Sequence, residues 1–454
     1  MEQTPQENTS PVRRIRRKKS KWQIFKEAYM PVLILGLALI LVIVFISGSI
    51  SRANKNKPTE PSDNTSIQTE DPKLQEATSL AAEAKLCAAG YDYDRALAIL
   101  DTFSGDIAAY DNLSSLKTQL ENAKAALVPF TDVASVPHLS FANLIADIAM
   151  TKNDTAKGSS YLGTYATVDE FKAILEDLYK NNYVLVSLHD LYTTTIDTEG
   201  KEVYGTGTLY LPAGKKPLVL SQVHVNYYTS MIASGFGSKL VLETNGNISC
   251  QMLHADATTS NGMYDFVPVL DAFIEEHPDF SYRGARATLA LTGYQGVLGY
   301  RTQASAANES DYETQKKLAK SLADELKKRG YEFACYSYNG GNYSTMSAGD
   351  IREDLRKWAT EVTPILGETD LFFLSMGIDI ADTDEIYTGD KFQAMKDAGF
   401  DVFVGRDSSV SAWFQQGKNY YRQSRRWVTG NNLADSPEYF TDLFDAAAVR
   451  DTKR

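Results

Sequence analysis

One uncharged, largely apolar stretch near the amino terminus constrains this sequence most. Residues 28–51 contain no charged side chain, and residues 32–46 are almost entirely aliphatic (VLILGLALILVIVFI). An apolar run of roughly 20 residues matches the hydrocarbon thickness of a lipid bilayer. We therefore expect a transmembrane helix over residues 28–51, with membrane lipid as its partner.

The charges that flank this stretch predict its orientation. Residues 1–27 form a basic tail, whereas few cations follow residue 51. By the positive-inside rule, the amino terminus stays cytoplasmic and the rest of the chain is extracytoplasmic, in a single-pass protein of the cell membrane. A cleaved signal peptide is the alternative, with Ser47-Gly48-Ser49 as its small-residue exit. The basic residues of the tail are Arg13, Arg14, Arg16, Arg17, Lys18, Lys19, Lys21 and Lys26.

Charge and cysteine content exclude two classes of protein. The formal net charge of the 454 residues is −12, and the segment after the basic tail is more acidic still. Nucleic-acid binding requires clustered Lys and Arg, so no nucleic-acid partner is expected. The three cysteines, Cys87, Cys250 and Cys335, have no spacing that would indicate a disulfide framework or a zinc knuckle.

Two segments of different character follow the apolar stretch. Residues 52–72 are rich in Pro, Asn, Ser, Thr and charge, which indicates a flexible linker. Residues 73–128 show helical spacing of Leu and Ala, and GYDYDRALAILDTF resembles the second helix of a tetratricopeptide hairpin. We interpret 73–128 as a helical spacer packed on the next domain; a module that binds a protein partner is the alternative.

From residue 129 onward, strand and helix patterns alternate. Apolar strands such as KPLVLSQVHV, ARATLALTG, YEFACYSY and FDVFVG are separated by amphipathic helices such as TVDEFKAILEDLYK. This order predicts an α/β fold with parallel strands, either a barrel or a doubly wound sheet. Functional residues on such folds follow the carboxyl ends of the strands.

These segments, in this order, resemble the polysaccharide deacetylase (NodB-homology, carbohydrate esterase four) family, in its membrane-anchored Gram-positive-type branch. The resemblance covers residues 129–428 and is carried by TVDEFKAILEDLYKNNYVLVSLHDL, KPLVLSQVHVNYY, FSYRGARATLALTGYQGVLGYRT and GYEFACYSYNGGNYS. It implies a distorted (β/α) barrel, preceded by the transmembrane helix and the small helical segment. It also implies a divalent metal that activates water to hydrolyse an N-acetyl group on a sugar.

The residues that such chemistry requires are replaced in this chain. By the resemblance, Val223 stands at the position of the general base and His224 at that of the metal-binding Asp, whereas Tyr336 and Gly340 stand where two His ligands belong. Ala142 and Met376 occupy two further positions where His or a polar residue is usual. A hydrolytic zinc site needs three N, O or S ligands, so we expect no metal and no conventional deacetylase activity.

Aromatic and amide side chains near strand ends remain candidates for a glycan cleft, because aromatic faces stack on sugars and amides bind hydroxyl groups. Packing of the barrel rim is the alternative role. Asp379, Asp382 and Asp384 form an acidic cluster for which a solvated loop is favoured over a calcium site, and Asp407 is either a pocket wall or a helix cap. The principal candidates are His224, Asn226, Tyr228, Tyr294, Tyr336, Asn339, Asp407 and Trp413, with Tyr227, Tyr338, Asn342 and Tyr421 beside them.

Three hypotheses for the function follow. The first is a membrane-tethered, catalytically degenerate deacetylase-like protein that binds cell-envelope glycan or regulates an active relative. The second is a working hydrolase of N-acetyl groups with an unconventional site, in which His224 and Tyr336 are the remaining candidates and zinc is the implied cofactor. The third is an assembly protein that acts through residues 73–128. The segment QSRRWVTGNN and the tail 429–454 show no further motif.

Overall fold

The computed structural model describes residues 72–407 and 411–454, which belong to one compact unit. The expected basic tail 1–27, the transmembrane helix 28–51 and all but the last residue of the linker 52–72 lie outside the described residues. Within those residues, no helix is both long enough and apolar enough to cross a bilayer.

Three helices occupy the segment where the sequence predicted a helical hairpin and a third helix. They are α1 (Pro72–Ala89), α2 (Tyr93–Leu100) and α3 (Asp111–Ala125). The side chain of Asp92 caps α2 by accepting the backbone N–H of Arg95. The helices share a small core in which alanine on α1 allows close approach of leucine from the other two. Its buried members include Ala77, Ala84, Ala96, Leu100, Leu113 and Leu116.

This helical segment packs directly on the domain that follows it. The carbonyl of Gly90 accepts the backbone N–H of Arg283 at 2.7 Å, and the hydroxyl of Tyr91 donates to the carbonyl of Asp279 at 2.8 Å. A Cβ at Gly90 would lie 2.8 Å from the carbonyl oxygen of Ser281, so the turn after α1 requires glycine. These contacts agree with a spacer packed on the barrel.

Seven parallel strands form a closed barrel. They pair in chain order, and the last strand returns to pair with the first. This closure confirms the barrel and excludes the doubly wound sheet that the alternation of elements left open. The barrel strands are β2 (His138–Phe141), β7 (Lys216–Val223), β11 (Thr288–Leu291), β12 (Glu332–Cys335), β13 (Leu371–Phe373), β14 (Val402–Arg406) and β16 (Tyr421–Trp427).

The remaining strands are not part of the closed barrel. One of them, β3 (Tyr183–Leu185), pairs parallel to the start of β7, and β15 (Phe414–Gln416) pairs antiparallel to β16. Two two-stranded sheets and one three-stranded sheet complete the described strands. The pairs are β1 (Val128–Phe130) with β6 (Leu209–Leu211) and β4 (Tyr192–Ile196) with β5 (Glu202–Thr206); β9 (Ile248–Leu253) lies between β8 (Gly237–Leu242) and β10 (Thr259–Gly262).

Helices follow most of the barrel strands, as the alternating pattern predicted. The longest is α8, whose apolar residues face the strands. The helices are α4 (Ile148–Asn153), α5 (Gly158–Thr164), α6 (Val168–Lys180), α7 (Phe266–Glu276), α8 (Tyr312–Lys328), α9 (Ala348–Glu361), α10 (Thr363–Leu366), α11 (Gly389–Asp397), α12 (Gly430–Asp435) and α13 (Ala446–Val449).

Successive side chains of each barrel strand face two different hydrophobic cores. In β11, Leu289 and Leu291 belong to the large core between strands and helices, whereas Ala290 belongs to the core inside the barrel. Side chains on a strand alternate between its two faces, so each barrel strand contributes to both cores. Small residues such as Ala290 and Ala334 leave room inside the barrel for large ones, including Tyr336 directly after β12 and Phe373 of β13.

Two segments without a recognised motif are structural elements of the barrel domain. QSRRW belongs to β16, the last barrel strand, whose polar residues hide it from a search for apolar runs. The tail 429–454 contains α12 and α13, and its Phe440 and Phe444 lie in the large core. Arg454 forms an almost fully buried ion pair with Glu170. Residues 429–454 are therefore packed on the barrel.

Candidate functional site

The position that the resemblance assigns to the general base lies at the carboxyl end of β7 and is apolar. Val223 is fully buried, pairs with Ala290 of β11 and packs in the core inside the barrel. A general base must present a lone pair within hydrogen-bonding reach of the proton that it accepts. The isopropyl group of Val223 offers none.

His224, the next residue, is held at the mouth of the barrel by aromatic contacts. Its backbone has a φ of 61°, and its ring lies edge-on against Tyr336 with 4.7 Å between centroids. Its Nδ1 lies 3.1 Å from the hydroxyl of Tyr228. Burial, and then the positive charge of Arg425, lower the pKa of His224 to about 4, so the imidazole is neutral at physiological pH.

Tyr336 and Gly340 reach the same end of the barrel after β12. Tyr336 is 1% exposed, and its hydroxyl accepts the backbone N–H of Met376 at 2.8 Å. A Cβ at Gly340 would lie 3.8 Å from Oγ of Ser375 and 4.0 Å from Cγ2 of Thr292, so the space beside Gly340 is open. The four positions that the resemblance singled out therefore converge on one place, the barrel mouth.

The residues at the mouth do not fit the zinc site that the resemblance implies. They offer one imidazole, whose Nδ1 is already engaged, together with one phenol, an alkyl group and a hydrogen. Within the part of the chain that the structure describes, no group of three His, Cys, Asp or Glu side chains could hold a metal ion. Arg425, whose positive charge lowers the pKa of His224, would also repel a metal ion at the mouth.

Aromatic side chains form a surface at this mouth. Tyr228 contacts His224 and Tyr294, with 5.7 and 5.9 Å between ring centroids, and the ring of Tyr294 is 55% exposed. The hydroxyl of Tyr228 shares a hydrogen bond of 3.1 Å with Oγ1 of Thr292. Exposed and half-buried aromatic rings beside hydroxyl groups are what a sugar-binding surface requires. The predicted residues His224, Tyr228, Tyr294 and Tyr336 are thus brought together.

Two tyrosines extend this surface and were not predicted. Tyr161 and Tyr165 both contact Phe236, at 5.2 and 5.1 Å between centroids, and Tyr165 also packs on the core inside the barrel. Tyr228 packs in the same cluster around Phe236. Tyr161 lies on α5 and Tyr165 directly follows that helix with an extended backbone, so no helix-face pattern in the sequence identifies the pair.

Of the three asparagines predicted for the cleft, Asn226 is buried, whereas Asn339 and Asn342 are wholly or partly exposed. Asn226 is fully buried, and its carboxamide bonds to the backbone of Thr292 and Gly296, so it fixes the loops and does not line the mouth. Asn339 is exposed, and its backbone N–H donates to Asp354. The side chain of Asn342 accepts hydrogen bonds from Ser344.

Three of the additional tyrosine candidates are buried by packing. Tyr227 donates to Asp265 at 2.6 Å and Tyr338 to Glu361 at 2.6 Å, beneath the surface. Tyr421 is the first residue of β16 and therefore lies at the amino end of the barrel, stacked on Phe414. These three tyrosines therefore pack within the domain and do not line the mouth.

Of the acidic candidates, Asp407 lies beside a cavity and Asp379 does not form an ion-binding cluster. Asp407 follows β14, accepts the indole N–H of Trp413 and lines a cavity of about 420 Å³. Asp379 accepts the hydroxyl of Tyr387 and lies 3.7 Å from Nη1 of Arg422, whereas Asp382 is exposed. Asp407 thus lines a cavity. The solvated-loop interpretation does not fit Asp379, whose side chain is 20% exposed and faces Arg422, whereas Asp382 and Asp384 are exposed.

Two arginines lie side by side near this cavity, and sequence reasoning singled out neither. Arg406 of β14 is the direct cross-strand partner of Arg425 of β16. Both guanidinium groups lie within 6 Å of the ring of Trp427, Arg406 at 5.5 Å and Arg425 at 5.9 Å. Arg406 is exposed at the rim, whereas Arg425 is fully buried, and burial lowers the pKa of Arg425 to about 10.

Comparison with known proteins gives weak structural similarities. No protein-family model and no curated protein sequence matches the chain. Among solved structures, a Streptococcus pyogenes deacetylase, PplD, is similar with a TM-score of 0.37 and 12% identity over 68% of this chain and 97% of that one. A de-N-acetylase from Aggregatibacter actinomycetemcomitans is similar with a TM-score of 0.36 and 11% identity over 65% and 95% of the respective chains. The barrel assignment rests on the strand pairing within this chain.

Proposed function

We propose that this protein is a catalytically degenerate polysaccharide deacetylase-like protein that binds cell-envelope glycan at the barrel mouth. The observation that carries the proposal is the convergence of Val223, His224, Tyr336 and Gly340 on that mouth. The positions that the resemblance assigns to base and metal ligands meet in space, yet they present apolar and aromatic groups.

The glycan-binding part of the proposal rests on the aromatic surface. Tyr161, Tyr165, Tyr228 and Tyr294 form a row of exposed and half-buried rings beside Thr292. Burial raises the pKa of Tyr165 and of Tyr228 to about 12, which keeps both phenols protonated and able to donate to sugar hydroxyls. A sugar ring stacked on Tyr294 would lie within reach of these donors.

The alternative of an active hydrolase with an unconventional site has less support. Its two remaining candidates, His224 and Tyr336, lie against each other, and the hydroxyl of Tyr336 is engaged by Met376. With its pKa lowered to about 4, His224 is a weak base. A general base works best with a pKa near the working pH.

We further propose that the protein is anchored in the cell membrane by residues 28–51, with the barrel on the extracytoplasmic side. The uncharged run and the preceding basic tail support this location. The proposal places the mouth in the compartment where cell-envelope glycan is found. The helical segment after the linker would then act as a spacer, as its contacts through Gly90 and Tyr91 with the barrel suggest.

The test is a binding titration joined to a metal analysis of the purified full-length protein. Oligomers of N-acetylglucosamine are titrated calorimetrically, and divalent metals are quantified in the same preparation. The proposal predicts saturable binding without stoichiometric zinc. Tightly bound zinc at one ion per chain would support the hydrolase instead, and absence of binding to any envelope glycan would contradict the glycan-binding proposal.

Deletion of residues 73–128 then tests the third hypothesis: loss of a protein partner with glycan binding retained would favour an assembly role.

A further inference from the structure

Three buried arginines lie on β16, and they differ in their partners. Arg422 and Arg426 belong to the outer face of the strand, and each has a carboxylate: Arg422 lies 3.7 Å from Asp379, and Arg426 forms two bonds of 2.6 and 2.7 Å with Asp442. Arg425 faces the inside of the barrel. No carboxylate of the described residues lies within ion-pair distance of Arg425, and its Nε has no hydrogen-bond partner there.

The contacts that Arg425 does make are not required by the backbone. Its guanidinium donates to the carbonyls of Val404 at 3.0 Å and Leu374 at 3.4 Å. The first carbonyl already accepts the N–H of Leu374, and the second already accepts the N–H of Gly377. Arg425 therefore satisfies no carbonyl that would otherwise be unpaired, and its other contacts are the rings of Tyr336, Phe373 and Trp427, 5.2–5.9 Å from the guanidinium group. A buried charge without a carboxylate is unfavourable.

The second arginine increases the local positive charge. Arg406 and Arg425 are cross-strand partners in the parallel pair of β14 and β16, so two like charges lie side by side and repel each other. The positive charge of Arg425 also lowers the pKa of His138 and of His224, after the larger effect of burial. The end of the barrel near β14 and β16 thus carries an excess of positive charge in a low-dielectric environment.

A cavity lies where this charge reaches the surface. Its volume is about 420 Å³, and Arg406, Trp427, Thr429, Asn432 and Ser436 line it. This volume falls within the range of small-molecule sites. The indole N–H of Trp427 is buried without a partner among the described residues, and it is a further donor beside the cavity.

Two acidic residues also line the cavity. Asp407 is half-buried and keeps its negative charge while it accepts the indole N–H of Trp413, whereas Glu438 is exposed to solvent, where water screens its charge. The buried charge of Arg425 is screened far less than that of Glu438. An anion on the Arg406 side of the cavity therefore meets two cations, and Asp407 limits how strongly it binds.

We infer that this cavity binds an oxyanion, a carboxylate or a phosphate, that is carried by a glycan. Arg406 contacts the anion directly, and Arg425 supplies a fixed positive charge behind it. This inference rests on the proposed function, because it specifies that the glycan bound at the mouth is acidic. The anion neutralises a pair of cations that the described residues leave without a carboxylate.

The experiment is a set of titrations of the full-length protein with inorganic phosphate, glucuronate and a neutral N-acetylglucosamine oligomer. Arg406→Gln is compared with Arg352→Gln, which changes an exposed arginine on α9. A charge-assisted contact contributes enough that Arg406→Gln should weaken binding of at least one anion about tenfold or more. The control should bind the anion as the unchanged protein does.

The result also separates this inference from the proposed function. Anion binding that is lost in Arg406→Gln supports the cavity, and the stronger of phosphate and glucuronate identifies the class of acidic glycan. Binding of the neutral oligomer without measurable binding of either anion overturns the inference and leaves the proposed function standing. Anion binding without any oligomer binding supports the cavity and contradicts the proposed function.

A second variant tests the inference in a protein that we expect to remain folded. Arg425→Met removes the buried charge but leaves both carbonyl groups with their backbone partners. We expect it to unfold at the same temperature as the unchanged protein, or higher, while binding the anion more weakly. Equal anion affinity in the folded Arg425→Met variant would contradict the role assigned to Arg425.

Discussion

The imidazole of His224 lies edge-on against the phenol of Tyr336, with 4.7 Å between ring centroids, at the mouth of a seven-stranded parallel barrel. By the resemblance, these are two positions at which a metal would be held. Here one ring packs on the other, and Arg425 lies within 6 Å of the ring of Tyr336. The mouth is therefore suited to stacking and to negative charge.

The exposed ring of Tyr294 should be a binding determinant with little role in folding. We expect Tyr294→Ala to weaken glycan binding about two- to tenfold, because loss of a stacked ring removes about 0.5–1.5 kcal/mol. The melting temperature should stay the same, since the ring is 55% exposed. Tyr210→Ala is the control, because Tyr210 is 48% exposed on β6, away from the mouth. Equal loss of binding in both variants would contradict a specific role for Tyr294.

His138 should make the protein sensitive to acid. Its Nε2 bonds to Ser221 at 2.8 Å inside the barrel, and burial, followed by the charge of Arg425, lowers its pKa to about 3. Because this value lies below that of the unfolded chain, about 6.5, the unfolded state takes up the proton first as the pH falls. The stability contributed by neutral His138 is therefore complete above about pH 6.5 and is lost progressively toward pH 3.

The His138→Gln variant tests whether His138 makes the protein less stable as the pH falls. Urea unfolding at pH 7 and pH 5 should show a smaller decrease in stability for His138→Gln than for the unchanged protein, by about 2 kcal/mol. Glutamine can retain a hydrogen bond to Ser221, so the variant should remain folded at pH 7. An identical decrease in both proteins would show that His138 is not buried in its neutral form.

His189 should have the opposite dependence on pH. Burial lowers its pKa, but hydrogen bonds and the charges of Asp370 and Glu332 outweigh burial and raise the pKa to about 10. The folded-state pKa exceeds that of the unfolded chain, so the stabilisation is complete below about pH 6.5 and is lost as the pH rises toward 10. The imidazole is 44% exposed, and solvent screening limits the effect to about 1 kcal/mol.

The measurement is the unfolding free energy of His189→Gln at pH 6 and pH 9.5. The variant should be less stable than the unchanged protein at pH 6, and the difference should shrink at pH 9.5. A difference that grows with pH would contradict the charged pair at the amino end of the barrel.

The ion pair of Arg454 and Glu170 should be essential for stability. Both side chains are at most 6% exposed, and Arg454 also donates to the carbonyls of Leu162 and Tyr165. Arg454→Gln leaves the carboxylate of Glu170 buried without its cation, which should cost about 3–5 kcal/mol in chemical unfolding. The neighbouring variant Lys453→Gln removes a pair that is more than half exposed and should change stability by less than about 1 kcal/mol. Similar losses in both variants would contradict this assignment.

Apolar patterning predicted most of the barrel strands, but neither β2 nor β16. KPLVLSQVHV was predicted as a strand and is β7 at Lys216–Val223. The last strand, β16, could not be found this way, because four of its seven residues are Arg or Gln. The carboxylate partners of Arg422 and Arg426, which are Asp379 and Asp442, lie elsewhere in the sequence, so no local pattern reveals that these arginines are buried.

The sequence predicted where the replaced base and metal-ligand positions lie, but predicted less well which residues surround them. The resemblance located Val223, His224, Tyr336 and Gly340, whose meeting point follows from the parallel arrangement of their strands. Which aromatic residues line the mouth depends on tertiary contacts instead. Tyr165 joins it through Phe236, whereas Tyr227 turns away to Asp265. Tyr421 could not be placed, because the strand that begins with it was not recognised.

The most direct test of the central claim is the release of acetate from N-acetylglucosamine oligomers. The full-length protein is incubated with added Zn²⁺, Co²⁺ or Ni²⁺, beside a variant that carries Val223→Asp, His224→Asp, Tyr336→His and Gly340→His. The space beside Gly340 is open, but its φ of 69° makes a histidine there strained, so folding of this variant is checked by circular dichroism first. We predict that the unchanged protein binds the oligomer and releases no acetate above the metal-only control. Metal-dependent release of acetate by the unchanged protein would contradict the account.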